Sequence, residues 1–310
     1  GGLQGRDMLQ HVVCVRPRDV WADHLAAREI GVTTLGVTSV AHAPLALMRL
    51  SALVRKMNPD VVQGWMYYGD LFAALAHRLT PGRKDRRLFW NLRASNTDQG
   101  GYGPIVAVNA RLSSWPDLII SNSKAGLEFH VARGYRPRRT AVVPNGIDTE
   151  MFRPDAKMRS EIRAELRIPM DALVAMHVAR IDLMKDHATF LQAMTSLPQL
   201  YGVLVGAGTQ TLDLPANVQA LGLRRDIETL YPAADIVVST SAFAEGFSNA
   251  IAEGMSSGLV PIATDVGDTR RIVGDVGHVV PIRNPAALIA AFNSVIAMPF
   301  AERRLRGEQE

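Results

Sequence analysis

Short apolar runs alternate with stretches of helical period along the chain. HVVCV (11–15), VTTLGV (32–37), DVVQGW (60–65), RRLFWNLR (86–93), DLIISNS (117–123) and TAVVPNG (140–146) read as strands. Helical periodicity fills the gaps at 22–30, 44–57, 71–79, about 105–114 and 124–133. The apolar runs are continuous, which means that both faces of the sheet are covered. Strand alternating with helix predicts a parallel, doubly wound sheet.

The second half repeats the pattern. Strands are expected at 172–180, 201–208, 218–222, 235–240, 259–264 and 277–281, with helices near 158–166, 188–197, 226–232, 248–257, 268–273 and 285–297. The break falls at Pro144-Asn145-Gly146-Ile147-Asp148, where a turn dipeptide follows a strand. The expected organisation is a Rossmann-like lobe over 1–145, a second over 146–297, and a tail over 298–310 that starts a helix and stops early. A doubly wound lobe normally opens with a strand feeding a glycine-rich turn. Gly1-Gly2 falls after where that strand would be, so the first lobe is expected to lack it.

Composition narrows the class. Of 310 residues, 47% are hydrophobic and 21% charged, an ordinary globular balance that excludes a disordered chain. No apolar run is long enough for a transmembrane helix, and no leader pattern opens the chain. The single cysteine, Cys14, excludes an internal disulfide and a cysteine-rich zinc site, and points to a reducing cytoplasm. The net charge of +4 fits anionic ligands or an acidic membrane surface, and equally a solvated arginine-rich surface. It is too small and dispersed for nucleic acid.

Candidate chemistry concentrates in the second half. In AEGFSNAIAEGMSSG (244–258), Glu245 and Glu253 flank Gly246-Phe247-Ser248-Asn249, where a helix should begin. Ser248 or Asn249 can cap that helix, and its first turn offers backbone N–H groups and a positive dipole end to a diphosphate. The two carboxylates suit hydroxyl donors such as a ribose diol or a sugar; an ordinary capped helix with surface glutamates is the plainer reading. Arg180 and Lys185 follow a strand and emerge at its carboxyl end, where open α/β sheets bind ligands. A guanidinium fork and a point charge suit a diphosphate, against the alternative of a solvated loop. Gly206 and Gly208 form a further strand-to-loop turn, a weak signal alone.

Together these stretches resemble the retaining GT-B glycosyltransferases of glycosyltransferase family 4. The resemblance runs from about Val12 to Ala297 and is strongest at VVPNGIDTEMFRPD (142–155), ARIDLMKDH (179–187), VGAG (205–208) and 221–268. It implies two Rossmann-like lobes facing a central cleft, and transfer of a hexose or N-acetylhexosamine from a nucleotide-diphosphate sugar to a glycan or lipid-linked acceptor. It also implies that Glu253 holds the donor ribose, that Glu245 faces the sugar hydroxyls, and that the backbone of Gly246, Phe247, Ser248 and Asn249 covers sugar and phosphates. Arg180 and Lys185 would hold the diphosphate. No metal and no cofactor is expected, since the cations and the helix terminus supply the charge. A truncated, non-catalytic nucleotide-sugar binder is the alternative reading.

The chain departs from the family in places. Tyr68 in WMYYGD (65–70) stands where relatives carry histidine, Ala179 replaces a glycine, and the first glycine-rich loop is expected to be absent or reduced to Gly1-Gly2. Tyr68, Arg93 and Asn96 are expected on the acceptor side, with Tyr68 following its strand into the cleft. His130 and His177 read as structural. RKDRRLFW (83–90) and the basic amphipathic LMRLSALVRK (47–56) could meet an acidic membrane as a peripheral contact, or simply pack a core.

Overall fold

The computed structural model describes residues 8–17, 20–82, 84–95 and 101–299. Asn96 and the expectations placed on Gly1-Gly2 and on the tail from 300 lie outside them. The described elements follow in chain order: β1 (His11–Cys14), α1 (Val20–Ala26), β2 (Gly31–Thr34), α2 (Ala43–Met57), β3 (Val61–Gln63), α3 (Met66–Leu79), β4 (Arg87–Leu92), α4 (Gly103–Leu112), β5 (Leu118–Ser121), α5 (Lys124–Ala132) and β6 (Thr140–Val142). The second half adds α6 (Ala156–Glu165), β7 (Val174–Val178), α7 (His187–Thr195), β8 (Tyr201–Val205), β9 (Val218–Gly222), α8 (Ile227–Leu230), β10 (Ile236–Ser239), α9 (Asn249–Ser256), β11 (Val260–Thr264), α10 (Thr269–Val273), β12 (His278–Val280) and α11 (Pro285–Ala297).

The chain forms two compact units, each drawn from several segments. One comprises 1–92, 104–120 and 130–141; the other comprises 93–103, 121–129 and 142–310. In the first half, β1 pairs with β2 in parallel, and β3-β4-β5-β6 form a separate ladder. Two cores serve these strands. Leu35, Leu50, Val54 and Phe72 join α2 and α3 to the β1-β2 pair, and Trp90, Leu92, Val106 and Ile119 lie about β4.

The second unit holds a six-stranded sheet in the order β12-β11-β10-β7-β8-β9, with all neighbouring strands parallel. Alternate strand residues point to opposite faces. Val174, Met176, Val203, Val205 and Val237 therefore enter one core, and Ala175, Leu204, Ile236, Val238 and Ile262 enter the other. Helices cover both faces, which is why these strands read as unbroken apolar runs. One buried ion pair fixes α6 against this sheet. Arg163 is fully buried, and its Nη2 donates to Asp235 Oδ2 at 2.8 Å while its Nη1 serves the carbonyls of Pro169 and Ala172.

The expected start of α3 needs correction, whereas RKDRRLFW follows its packing alternative. The helix expected from 71 begins at Met66, with Trp65 extended at the N-cap position. Tyr68 consequently sits in the first turn of α3, 57% exposed, and not in a loop after its strand. The sequence hid this start because no Ser, Thr, Asp or Asn stands at the cap. In RKDRRLFW, Arg86 is buried and donates to Thr80 O at 2.8 Å and Asn58 Oδ1 at 3.2 Å, while Trp90 is fully enclosed, so both serve packing.

Candidate functional site

The strand order places a topological switch between β7 and β10. From β7 the chain builds outward through β8 and β9, then returns past β7 to lay down β10, β11 and β12 on the other side. At such a point the loops leave the carboxyl ends of neighbouring strands in opposite directions and open a crevice. The segment 179–186 follows β7, and the segment 240–248 follows β10.

These two segments meet through charge. Lys185 Nζ donates to Glu245 Oε2 at 2.5 Å, with 20% and 13% of the two side chains exposed. Ser241 Oγ donates to the same Oε2 at 2.9 Å. Lys185 ends a single 3-10 turn, Leu183–Lys185, that Asp182 caps by accepting from Met184 N at 3.1 Å. Arg180 is exposed, and its Nη2 donates to Asp182 Oδ2 at 2.7 Å. Backbone and guanidinium contacts hold the Asp182 carboxyl below the usual carboxylate range. Both cations singled out in the sequence therefore already face a carboxylate.

The segment before α9 is tightly wound. Ala244 has φ +59, and Gly246 and Ser248 are buried, while Phe247 is half-buried and Asn249 exposed. Ser248 occupies the N-cap position of α9, but its side chain makes no capping bond, contrary to the expectation that Ser248 or Asn249 closes this end. Asn249 Oδ1 instead accepts from Asn145 Nδ2 at 2.7 Å, and Asn145 Oδ1 accepts from Arg93 Nη2 at 2.8 Å. Arg93, expected on the acceptor side, thus joins the approaches to α9 within the second unit. Burial lowers its guanidinium pKa.

Glu253 lies one turn into α9, where Tyr231 OH donates to its Oε2 at 3.3 Å. Burial pushes its carboxyl above the usual range, opposed by that hydrogen bond. Gly206 (φ +148) ends β8 so close to β7 that a Cβ would lie 2.1 Å from Ala179 O, a position only glycine tolerates. Gly208 caps the short turn Thr209–Thr211.

One element of this region escaped the sequence reading. Asp268 is buried, and its carboxylate accepts from the N–H groups of Lys124 and Ala125, both at 2.8 Å. It therefore caps α5 from 143 residues away, alongside the local Ser123, whose Oγ accepts from Gly126 N at 3.0 Å. The Asp268 N–H donates to Gly246 O at 3.0 Å, and Ser95 Oγ donates to Glu245 O. No local spacing announces a cap that arrives from another part of the chain. The two histidines are buried as expected: Tyr67 OH and His130 Nε2 are 3.0 Å apart, and His177 Nε2 lies 3.0 Å from Thr240 Oγ1.

Comparison with known proteins bears on the family and the fold. Residues 2–151 match the family described as Glycosyltransferase Family 4, and residues 172–298 match Glycosyl transferases group 1. A D-inositol 3-phosphate glycosyltransferase of Xylanimonas cellulosilytica is 30% identical over 157 residues, 44% of this chain and 37% of that protein. The UDP-Gal:alpha-D-GlcNAc-diphosphoundecaprenol alpha-1,3-galactosyltransferase of Escherichia coli is 29% identical over 153 residues, 44% of this chain and 39% of that protein. These alignments span about two fifths of each relative's length. Among solved structures, Anabaena HepE in complex with UDP and glucose superposes with a TM-score of 0.84 at 21% identity, covering 96% of this chain and 84% of that one. The sucrose-phosphate synthase of Thermosynechococcus elongatus superposes with a TM-score of 0.76 at 20% identity, covering 96% and 81%. With its parallel α/β architecture and both matched domains, the chain belongs to glycosyltransferase family 4 and has the GT-B fold of two Rossmann-like lobes.

Proposed function

We propose that this chain transfers a hexose or N-acetylhexosamine from a nucleotide-diphosphate sugar to a glycan or lipid-linked acceptor, with retention of configuration and without a metal ion. The observation that carries the reading is the Lys185–Glu245 pair at the switch point, beside a helix N-terminus that the side chain of its N-cap residue, Ser248, leaves uncapped. In this reading Lys185 and Arg180 turn to the diphosphate, Glu245 to the sugar hydroxyls and Glu253 to the ribose diol. The Gly206–Gly208 turn and the 246–249 backbone line the donor. The first lobe, 1–145, takes the acceptor, and 146–297 takes the donor.

The acceptor hydroxyl oxygen forms the new bond to the anomeric carbon on the face the diphosphate leaves. The bond from that carbon to the β-phosphate oxygen breaks, and the departing phosphate takes the acceptor's proton. Charge builds on the leaving group, so the cations and the helix end lower the barrier by meeting it there. The family match supports the reaction class, and the UDP-Gal donor named for the Escherichia coli relative, with the UDP and glucose bound to HepE, supports a nucleotide-sugar donor.

Release of UDP or GDP from a panel of UDP- and GDP-sugars tests the reading. One nucleotide series should be turned over, EDTA should leave the rate intact, and Lys185→Ala should lower kcat more than it raises KM. Activity lost in EDTA and restored by Mg²⁺ overturns the metal-free site; binding of a nucleotide sugar with no product from any acceptor favours the non-catalytic alternative.

Peripheral association with an acidic membrane is proposed on a separate observation. No described helix is long and apolar enough to cross a membrane. The outer face of α2 exposes Leu45 and Met48 beside Arg49, Arg55 and Lys56, and the helix carries no carboxylate. Co-sedimentation with phosphatidylglycerol vesicles, absent with neutral ones and lost in Arg49→Glu/Arg55→Glu, is the expected result.

A further inference from the structure

We infer that Thr240 and His177 are positioning residues that set the backbone of Lys185, so that its ammonium reaches the diphosphate subsite. This rests on the reading of that subsite given above. Thr240 is fully buried directly after β10, and its Oγ1 donates to Lys185 O at 2.9 Å and Asp186 O at 3.0 Å. A hydroxyl has one proton, shared here between two carbonyls, so the remaining contact to Thr240 Oγ1 must come from a donor. His177 Nε2 lies 3.0 Å away and is that donor. The imidazole is thereby fixed as the Nε2–H tautomer, which agrees with a buried Nδ1 that has no partner.

The surroundings keep this relay in one state. His177 is 1% exposed and packs, tilted, with its ring centroid 4.8 Å from that of His187 and 5.3 Å from that of Phe190. Burial, with His187 and Lys185 nearby, holds the His177 imidazole well below its usual pKa and thus neutral. His187 Nε2 in turn donates to Ala179 O at 3.3 Å, which ties down the start of the same segment.

The segment needs such restraint. Lys185 closes a single 3-10 turn, and Asp186 follows it at φ +44, a left-handed conformation that costs a non-glycine residue energy. Asp186 offsets the cost by accepting from Thr189 Oγ1 at 2.6 Å. Ala242 N donates to Met184 O at 2.7 Å and adds a second tie from the β10 loop. The carbonyls on both sides of the strained residue are the two that Thr240 holds. The Lys185 side chain is long and flexible, and the direction in which it leaves the chain is set at this backbone. A functional reading of residues 180–185 alone passes over both groups, because they come from β7 and from the end of β10.

Calorimetric titration of the full chain with UDP and with GDP tests the inference. In the expected result Thr240→Val weakens the nucleotide that the wild type binds by roughly fivefold, the loss of about one neutral hydrogen bond. Thr240→Ser restores the affinity, and Thr240→Val adds nothing in a Lys185→Ala background. If Thr240→Val melts below the titration temperature, His177→Phe takes its place. It keeps a ring between His187 and Phe190, removes only the donor, and should show the same dependence on Lys185. Wild-type affinity in the variant that folds, or an equal loss with and without Lys185, overturns the inference while leaving the subsite reading intact. A wild-type chain that binds neither nucleotide overturns the subsite reading and this inference with it.

Discussion

Arg180 and Lys185 differ in what a ligand must displace. Lys185 is enclosed with Glu245, whereas Arg180 and Asp182 form an exposed pair of the kind that contributes little. Asp182 nonetheless adds a negative charge beside the site. Asp182→Asn keeps an oxygen for Met184 N and removes that charge, so nucleoside diphosphate affinity should rise, by roughly two- to fivefold for a surface pair. An unchanged affinity in titration would place Arg180 away from the phosphates. The two glutamates should separate in the same assay. Glu253→Ala should weaken nucleotide binding, on the order of 1.5–3 kcal/mol for a charge-assisted hydrogen bond, while Glu245→Ala should act mainly on turnover. Equal nucleotide affinity in Glu253→Ala and wild type would remove the ribose role assigned to it.

The α9 loop depends on the turn behind it. Gly267 has φ +64, and a Cβ there would stand 2.3 Å from Glu245 O and 2.6 Å from Gly246 O. Gly274 has φ +53 and nothing within 4 Å of the corresponding point. Both glycine-to-alanine changes carry backbone strain of about 1–3 kcal/mol, but only Gly267→Ala also pushes on the loop. Donor affinity should fall in Gly267→Ala and hold in Gly274→Ala; equal affinities would show that the loop tolerates displacement. What the sequence conveyed at this scale was local. The strands of the second unit were legible because burial on two faces leaves unbroken apolar runs, and β9 (Val218–Gly222) and α11 (Pro285–Ala297) lie at the expected residues. The start of α3 was not legible, since Trp65 gives no capping signal. The candidate site residues were visible as types at spacings. Their engagement with one another was not, because Lys185 meets Glu245 across 60 residues and Asp268 meets Lys124 across 144. Periodicity reports which face is buried, never which distant group will arrive there.

At the scale of the molecule, stability is tied to pH through buried acids. Asp70 is fully buried, its Oδ1 accepting from Asn91 N at 3.3 Å, and desolvation raises its carboxyl well above the usual range. A folded state with a raised carboxyl pKa holds more protons than the unfolded chain. Stability is therefore lost as pH rises from the ordinary carboxylate value through the raised one, and stays low above it. Asp70→Asn should leave melting near wild type in acid and raise it at neutral pH, by roughly 1–3 kcal/mol; a difference independent of pH would contradict a proton held at Asp70. The division of the chain has a consequence of another kind. The unit with the six-stranded sheet also takes in 93–103 and 121–129, and through them Glu245 O receives the Ser95 hydroxyl and Asp268 receives two amides. A chimera spliced at Val142 would keep every strand of that sheet and still inherit a foreign serine position and a foreign helix start. Exchanging first halves between relatives should succeed only when both small segments travel with the second half, so the module that recombination can move is not the one a single cut would define.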